Sequence, residues 1–291
     1  MSFFRLGRWS AMPGLLLLSA LAALPFPPSR AGDPPPRPRV EVRTSAGAFT
    51  VELYPDLAPA NVALFLERAG LRPARPGVAR LVGSELCASW PHGYLEFGCT
   101  PGPADRPARP LVERVRTPDE IDGVAMGLDR DVIEDPKEVD AFWQLELWPR
   151  AAALERSGRR VPPRLAGLVG EIRRRGPEAA REIRGWTRRE LLEAVGYRWK
   201  RGGSPFRVRR GVLATANRWP GEADARFLVA LGDLPERDGR ATVYGRIVAG
   251  WDTLAAIERM PLGNYHRPEA PVRILGFREL PGAASDGKET R

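Results

Sequence analysis

Residues 237–260 read RDGRATVYGRIVAGWDTLAAIERM, and the apolar pattern changes period inside this stretch. Thr242 to Val248 alternates, as a strand with one buried face does. From Trp251 the apolar residues fall at Trp251, Leu254, Ala255 and Ile257, the spacing of one face of a short helix. The glycine-containing turn at 237–241 predicts that the strand is the second arm of a hairpin. A last strand is predicted at 271–280. Any fold assigned to this chain must end in that order: hairpin, short helix, strand.

A second strand-patterned block lies near the N-terminus. In RVEVRTSAGAFTVELYPD (39–56), Val40 and Val42 alternate, Ser45-Ala46-Gly47 turns, and Phe49, Val51 and Leu53 alternate. LAPANVALFLERAG (57–70) predicts a helix. Pro59 sits in its first turn, Val62, Phe65, Leu66 and Ala69 share a face, and Gly70 ends it. Short strand-like pieces follow around SWPHG within 80–101. Between 106 and 205 the pattern becomes helical and rich in Arg. Thr117 and Glu120 stand at capping-box spacing with Pro118 at the first helical position, and Thr187 with Glu190 repeats that spacing. KEVDAFWQLEL, RLAGLVGEIRRR and TRRELLEAVGYRW are further helical stretches, broken by Pro149, Pro162-Pro163 and Gly176-Pro177. Trp143, Trp148, Trp186 and Trp199 are expected to form the core of this helical part. Strand patterning resumes at 206–217.

Residues 1–31 have a different character. Arg5 and Arg8 precede the apolar run GLLLLSALAAL, and SRA follows at 29–31. This is the pattern of a secretory signal peptide cut near Ala31, followed by the Pro-rich linker 32–38. An uncleaved membrane anchor is the rival, and the apolar run is short for one. The expected location is therefore secreted or periplasmic, with no membrane span after cleavage. The formal net charge is +9, and only three of the 45 basic residues are Lys. Arg and Glu are interspersed, as on a solvated helix surface, so no nucleic-acid partner is expected. No Gly-rich phosphate loop is present. The two histidines, His92 and His266, lack a Ser or Cys partner pattern, which argues against hydrolase chemistry.

Both β-rich blocks resemble the cyclophilins, the eight-stranded barrel family of peptidyl-prolyl cis-trans isomerases. VEVRTSAGAFTVELYPDLAPANVALFLERAG is similar to the family's first hairpin and helix, including Ala-Pro at the helix start. RRGVLATAN resembles the stretch that ends in Met-Ala-Asn, and ARFLVAL stands where the family has Ser-Gln-Phe-Phe-Ile. RDGRATVYGRIVAGWDTLAAI is similar to the Leu-Asp-Gly turn, the Phe-Gly strand and the short helix after it. The resemblance implies a mainly β fold: a cyclophilin-like eight-stranded antiparallel β-barrel with flanking helices, plus an inserted α-helical subdomain. The first part of the barrel is 39–105, the helical insertion 106–205, the second part 206–281, and 282–291 is a flexible tail.

The activity implied by the resemblance is isomerisation of Xaa-Pro bonds in protein folding. Rotation about a peptide bond meets a barrier of about 18–20 kcal/mol. Lowering it needs no nucleophile, metal or cofactor. It needs an apolar pocket for the prolyl ring and a donor aimed at the prolyl nitrogen, which favours the twisted state. The family supplies a barrel-face Arg and a Gln eight residues later. Aligning GYLEFGCTPG (93–102) on the family's Gly-Phe-Met-x-Gln-Gly-Gly-Asp-Pro puts Ser89 at the Arg position and Phe97 at the Gln position. ARFLV puts Arg226 at a groove Gln and Leu228 at a pocket Phe. Glu236 stands where Trp is frequent, Arg237 where Leu is usual, and Ala241 replaces a His. The expected groove comprises Tyr94, Leu95, Phe97, Ala216, Asn217 and Leu228. Arg226 is the candidate catalytic donor, the alternative being that it faces solvent or pairs with Glu236 or Asp224. Two functions follow. One is a weak, monomeric isomerase acting on a proline-containing peptide or protein. The other is an inactive module of the same fold that binds a partner through its groove or its helices.

Cys87 and Cys99 are the only cysteines. Export favours a disulfide between them over two free thiols. With His92 they could supply three zinc ligands, but a fourth is not evident, and no metal is expected.

Overall fold

The computed structural model describes residues 37–103, 105–216, 219–221 and 223–281. The expected signal peptide, nearly all of the Pro-rich linker, the C-terminal tail and Asn217 lie outside the described residues. Among the described residues no helix is long and apolar enough to cross a membrane.

Among the described residues, nine strands and six α-helices follow one another. β1 is Arg39–Thr44, β2 Gly47–Leu53, α1 Pro59–Arg68, β3 Glu85–Trp90, β4 Tyr94–Thr100 and β5 Arg109–Pro110. The helices α2 Pro136–Phe142, α3 Trp148–Arg156, α4 Pro163–Arg175 and α5 Arg188–Ala194 come next. β6 Val212–Thr215, β7 Phe227–Ala230, β8 Val243–Ala249, α6 Trp251–Glu258 and β9 Ile274–Leu280 complete the order. Eight strands form one antiparallel path, β3-β4-β7-β6-β8-β2-β1-β9, with β5 added on β4. Its two ends meet. Glu85 bridges Arg273, the Leu86 N–H donates to the Val272 carbonyl at 2.9 Å, and the Ile274 N–H donates to Ser84 at 2.8 Å. The path therefore closes, as the eight-stranded barrel expectation required.

Alternation along the strands fills the interior. Val40, Val42, Phe49, Val51, Leu53, Leu95, Phe97, Phe227 and Val229 all point inward and are essentially inaccessible. Because side chains alternate with period two, the residues between them face outward. On β6 and β7 these are Ala214, Leu228 and Ala230, which form a second buried cluster with Tyr54, Val208, Leu234, Ala241 and Val243. Helices α1 and α6 add Val62, Phe65, Leu254 and Ile257 to the interior core.

Three expectations are corrected. The strand at 243–249 is not the second arm of a hairpin, because β6 lies between β7 and β8. The connection between those two strands, residues 231–242, is longer than a hairpin turn and carries the chain across β6. The expected helix at 117–127 does not form, and the first helix after the barrel's opening strands begins at Pro136. Thr117 and Glu120 serve helix α1 instead of capping one of their own. Thr117 Oγ1 accepts from Arg68 Nη2 at 2.8 Å, and Glu120 Oε2 accepts from the Asn61 N–H and Nδ2 at 2.9 Å each. Pro149, finally, does not end a helix. A π-helical turn at Trp143–Leu147 joins α2 to α3, and Pro149 falls in the first turn of α3.

The capping box at Thr187 and Glu190 is formed and opens α5. The helices share their own core, which includes Ile133, Phe142, Leu147, Leu165, Ile183 and Leu192. Trp143 is buried there and donates from Nε1 to the Ala180 carbonyl at 3.0 Å. Trp186 and Trp199 pack against this core, whereas Trp148 is 44% exposed.

Candidate functional site

The groove expected from the resemblance falls on the outer face of β3, β4, β6 and β7. Strand register decides which residues reach it. Glu96 stands opposite Leu228 on β7 and opposite Ala88 on β3, and Tyr94 stands opposite Trp90. Leu228 belongs to the outer cluster, so Tyr94, Glu96, Ala88 and Trp90 share its face. Ser89, Leu95 and Phe97 point the other way and are 0% exposed. Phe97 packs in the barrel interior with its ring centroid 5.3 Å from Phe227 and 6.0 Å from Phe49. The Ser89 hydroxyl has no hydrogen-bond partner there.

The alignment that assigned Ser89 and Phe97 to the groove is therefore one residue out of register. Slipping a strand by one residue exchanges its two faces. The pair that keeps the eight-residue spacing on the groove face is Ala88 and Glu96. That pair is an alanine and a glutamate.

Arg226 reaches the groove, and its guanidinium is engaged there. Nε donates to Asp224 Oδ1 at 2.9 Å, Nη2 donates to Asp224 Oδ2 at 3.0 Å, and Nη1 donates to Glu96 Oε1 at 2.8 Å. Gly98 lets the strands approach closely enough for this. It has φ +105°, and a Cβ there would lie 2.9 Å from the Ala225 carbonyl oxygen and from Arg226 Cα. Burial acts to lower the Arg226 pKa, but the Asp224 hydrogen bond and the Glu96 charge outweigh it and hold the pKa above the ordinary value. Burial pushes the Glu96 carboxyl above the usual carboxylate range, and the Arg226 charge offsets only part of that. Arg226 is thus placed in an ion-pair network with Asp224 and Glu96, and its fork is turned toward these carboxylates. This removes the basis for calling it a free donor.

The expected apolar pocket is covered. Leu228 is 0% exposed and Ala216 is 6% exposed. Arg237 lies over the Tyr94 ring, 5.0 Å from its centroid, and donates from Nη2 to the Tyr94 hydroxyl at 3.1 Å. The stack continues outward: Trp90 lies 6.1 Å from Tyr94, and His266 lies 3.7 Å from Trp90. No sequence pattern marks Trp90 and His266 as neighbours. Alternation against the apolar Leu95 and Phe97 is the signal that could have singled out Glu96.

Cys87 and Cys99 are disulfide-bonded, with Cα atoms 5.3 Å apart. Both sulfurs are used in that bond, so they are not zinc ligands beside His92. Among the described residues no cluster of His, Cys, Asp and Glu could hold a metal ion.

The family model "cyclophilin type peptidyl-prolyl cis-trans isomerase/CLD" matches residues 171–279. The peptidyl-prolyl cis-trans isomerase-like 3 of Gibberella zeae is 40% identical over 67 residues, which are 22% of this chain and 40% of that protein. The peptidyl-prolyl cis-trans isomerase H of Mycosarcoma maydis is 36% identical over 70 residues, 24% of this chain and 45% of that protein. The chain thus spans less than half the length of these curated relatives. A crystal structure of a Cryptosporidium parvum cyclophilin-type isomerase is similar with a TM-score of 0.46 and 13% identity, over 84% of this chain and 98% of that one. The family model over residues 171–279 and the curated relatives support reading the chain as a divergent relative of the cyclophilin-type peptidyl-prolyl cis-trans isomerases.

Proposed function

We propose that the protein is an exported cyclophilin-fold protein that engages proline-containing polypeptide at its groove and isomerises Xaa-Pro bonds only weakly. The observation that carries this reading is the groove network. The donor that would pull the prolyl nitrogen out of resonance is missing at Ala88, and Arg226 is held by Asp224 and Glu96. Losing one preorganised donor lowers rate by about 10²–10³. A desolvating groove still favours the less polar, twisted amide, which leaves a residue of activity. Export rests on the pattern of residues 1–31 and agrees with the Cys87–Cys99 disulfide.

The test is a protease-coupled isomerisation assay on a chromogenic Xaa-Pro tetrapeptide, with the purified full chain. Slow but saturable catalysis is expected. Turnover like that of an enzyme with the family's Arg and Gln in place would refute the reading. The alternative, an inactive binding module, is favoured by one observation: Leu228 has no accessible surface while Arg237 lies over Tyr94. It predicts binding of a proline peptide without any acceleration.

A further inference from the structure

A cavity of about 1130 Å³ lies away from the groove, between α3, α4 and α5 and the loops at 119 and 219–221. Its charge is lopsided. Arg150, Arg159, Arg160, Arg164 and Arg198 line it, against Asp119 and Glu193. Both acids are engaged. Asp119 Oδ2 accepts from the Gly221 N–H at 2.9 Å, and Glu193 Oε1 accepts from Arg189 at 2.9 Å and from Trp199 Nε1 at 2.7 Å. Arg160 and Arg198 are exposed on the cavity lining and form no ion pair among the described residues. Apolar surface separates the cations. Tyr197 and Trp199 stack at 6.4 Å between centroids, and Pro162, Pro163 and Pro220 complete the wall.

We propose that this cavity is a second binding site, and that its ligand is an acidic segment of another polypeptide carrying apolar side chains between its carboxylates. Three features support that class. Guanidinium groups match carboxylates in geometry and hold them bidentately. The volume exceeds the roughly 300–1,000 Å³ of sites that enclose small ligands, so a polymer fits better than a metabolite. The aromatic and proline walls suit a chain with apolar side chains, which an inorganic polyanion lacks. The choice of a polypeptide rests on the reading that this protein handles polypeptides at its groove. Bound together, groove and cavity would let one client be held at an acidic stretch while a proline elsewhere is presented.

The experiment is fluorescence anisotropy of a fluorescein-labelled Glu-Phe-Asp-Leu-Glu-Phe-Asp-Glu peptide with the full chain at low salt. Saturable binding is expected, weakening as sodium chloride is raised. The double variant Arg160→Gln/Arg198→Gln should weaken binding about tenfold, the factor that two moderate charge pairs supply. It should leave turnover of the short Xaa-Pro peptide unchanged. Both positions are exposed, and thermal unfolding checks that the variant is folded. Tyr94→Ala should leave acidic-peptide binding within about twofold. Unchanged affinity in the double variant would overturn the proposal, as would equal binding of the matched peptide with Lys in place of each acid. Displacement by sodium tripolyphosphate as efficient as by unlabelled peptide would assign the cavity to phosphate polyanions and also overturn it. Loss of binding in Tyr94→Ala would place the peptide in the groove. That outcome overturns the cavity proposal and leaves the groove reading intact, whereas a failed isomerase assay with retained peptide binding does the reverse.

Discussion

Two ways of restoring the family's donor pair separate the register seen here from the one read off the sequence. Ser89→Arg/Phe97→Gln follows the sequence alignment. Ala88→Arg/Glu96→Gln follows the strand register. Phe97 is 0% exposed and packs between Phe49 and Phe227. Truncating such a ring costs about 3–5 kcal/mol, and an unpartnered buried amide adds about 1–3 kcal/mol. Arg at position 89 would also place a charge inside the barrel, where Ser89 has no hydrogen-bond partner even for its hydroxyl. The sum approaches or exceeds the roughly 5–15 kcal/mol that holds a typical domain together. The first double variant should therefore show no cooperative transition in urea. In the second, Ala88 is partly exposed and Glu96→Gln removes one of the two carboxylates on Arg226, leaving Asp224 in place. Its cost should be about 1–2 kcal/mol. Circular dichroism across a urea series measures both. The coupled assay should show at least a tenfold gain in the second variant, larger when Arg237→Leu uncovers Tyr94. A folded Ser89→Arg/Phe97→Gln protein of near-native stability would refute the register argument. A folded Ala88→Arg/Glu96→Gln/Arg237→Leu protein without any gain in rate would show that the groove does not accept a prolyl ring.

Further outcomes follow from single sites. Ser89→Ala removes an unsatisfied buried hydroxyl and should raise stability by about 1 kcal/mol in urea unfolding, with no change in turnover. Removing the Cys87–Cys99 bond by Cys87→Ala/Cys99→Ala opens a loop with a sequence separation of 12. It should cost about 2–3 kcal/mol, and dithiothreitol should lower the wild-type melting temperature in the same direction. Asp119 has its pKa pushed by burial from 3.8 up to about 6, with the Gly221 hydrogen bond opposing. The folded chain thus holds this proton more tightly than the unfolded chain. The stabilising contribution is present in full below about pH 4 and is lost as pH rises to about 6. Asp119→Asn keeps an acceptor for Gly221 and should gain about 1–2 kcal/mol over wild type at pH 7 but nothing at pH 4, as melting curves at the two pH values will show.

The sequence made the barrel legible because its apolar residues alternate in short runs that only an antiparallel sheet can bury. β1, β2, α1 and α6 all lie where period and capping residues put them, and Gly250, with φ +86°, ends β8 and admits α6 as the change of period required. Three things were not legible, each for a physical reason. Thr117 and Glu120 have the spacing of a capping box, but local spacing does not show that Asn61 and Arg68 on α1 need buried acceptors. Tertiary demand prevailed over local capping. The groove residues were misplaced because a family motif fixes position along the chain, whereas the pleat fixes the face, and one residue of slip reverses the face. Where the helices begin was hidden because helical composition starts well before Pro136, where the first of them opens. Glu113 pairs with the buried Arg68 at 2.5 Å. Removing residues 106–205 would leave that arginine without its partner, a loss of about 3–5 kcal/mol for a buried pair broken on one side.

The turn at residues 237–241 touches both the groove and the helical part. Residues 237–241 carry Arg237, which covers the pocket, and the helical part clamps the same turn from behind. Gly239 is tight against it: a Cβ there would lie 2.6 Å from Leu128 Cδ1 and 2.7 Å from Leu192 Cδ1, and φ is +75°. The Arg240 guanidinium pairs with Glu146 and lies 5.5 Å over the Phe142 ring. Asp238 accepts from the Val208 N–H at 2.8 Å and pairs with Arg207 and Arg209. Three successive residues are thus fixed by contacts of their own, and Arg237 beside them donates to Tyr94. Uncovering the pocket therefore requires either a rotamer change of Arg237 alone or a displacement of the turn against the helical core. The first breaks, among its other contacts, the hydrogen bond and the cation–π contact to Tyr94, each worth on the order of 1 kcal/mol. The second would break the packing of Leu128 and Leu192 as well. Side-chain movement of Arg237 spares that packing and is the cheaper route.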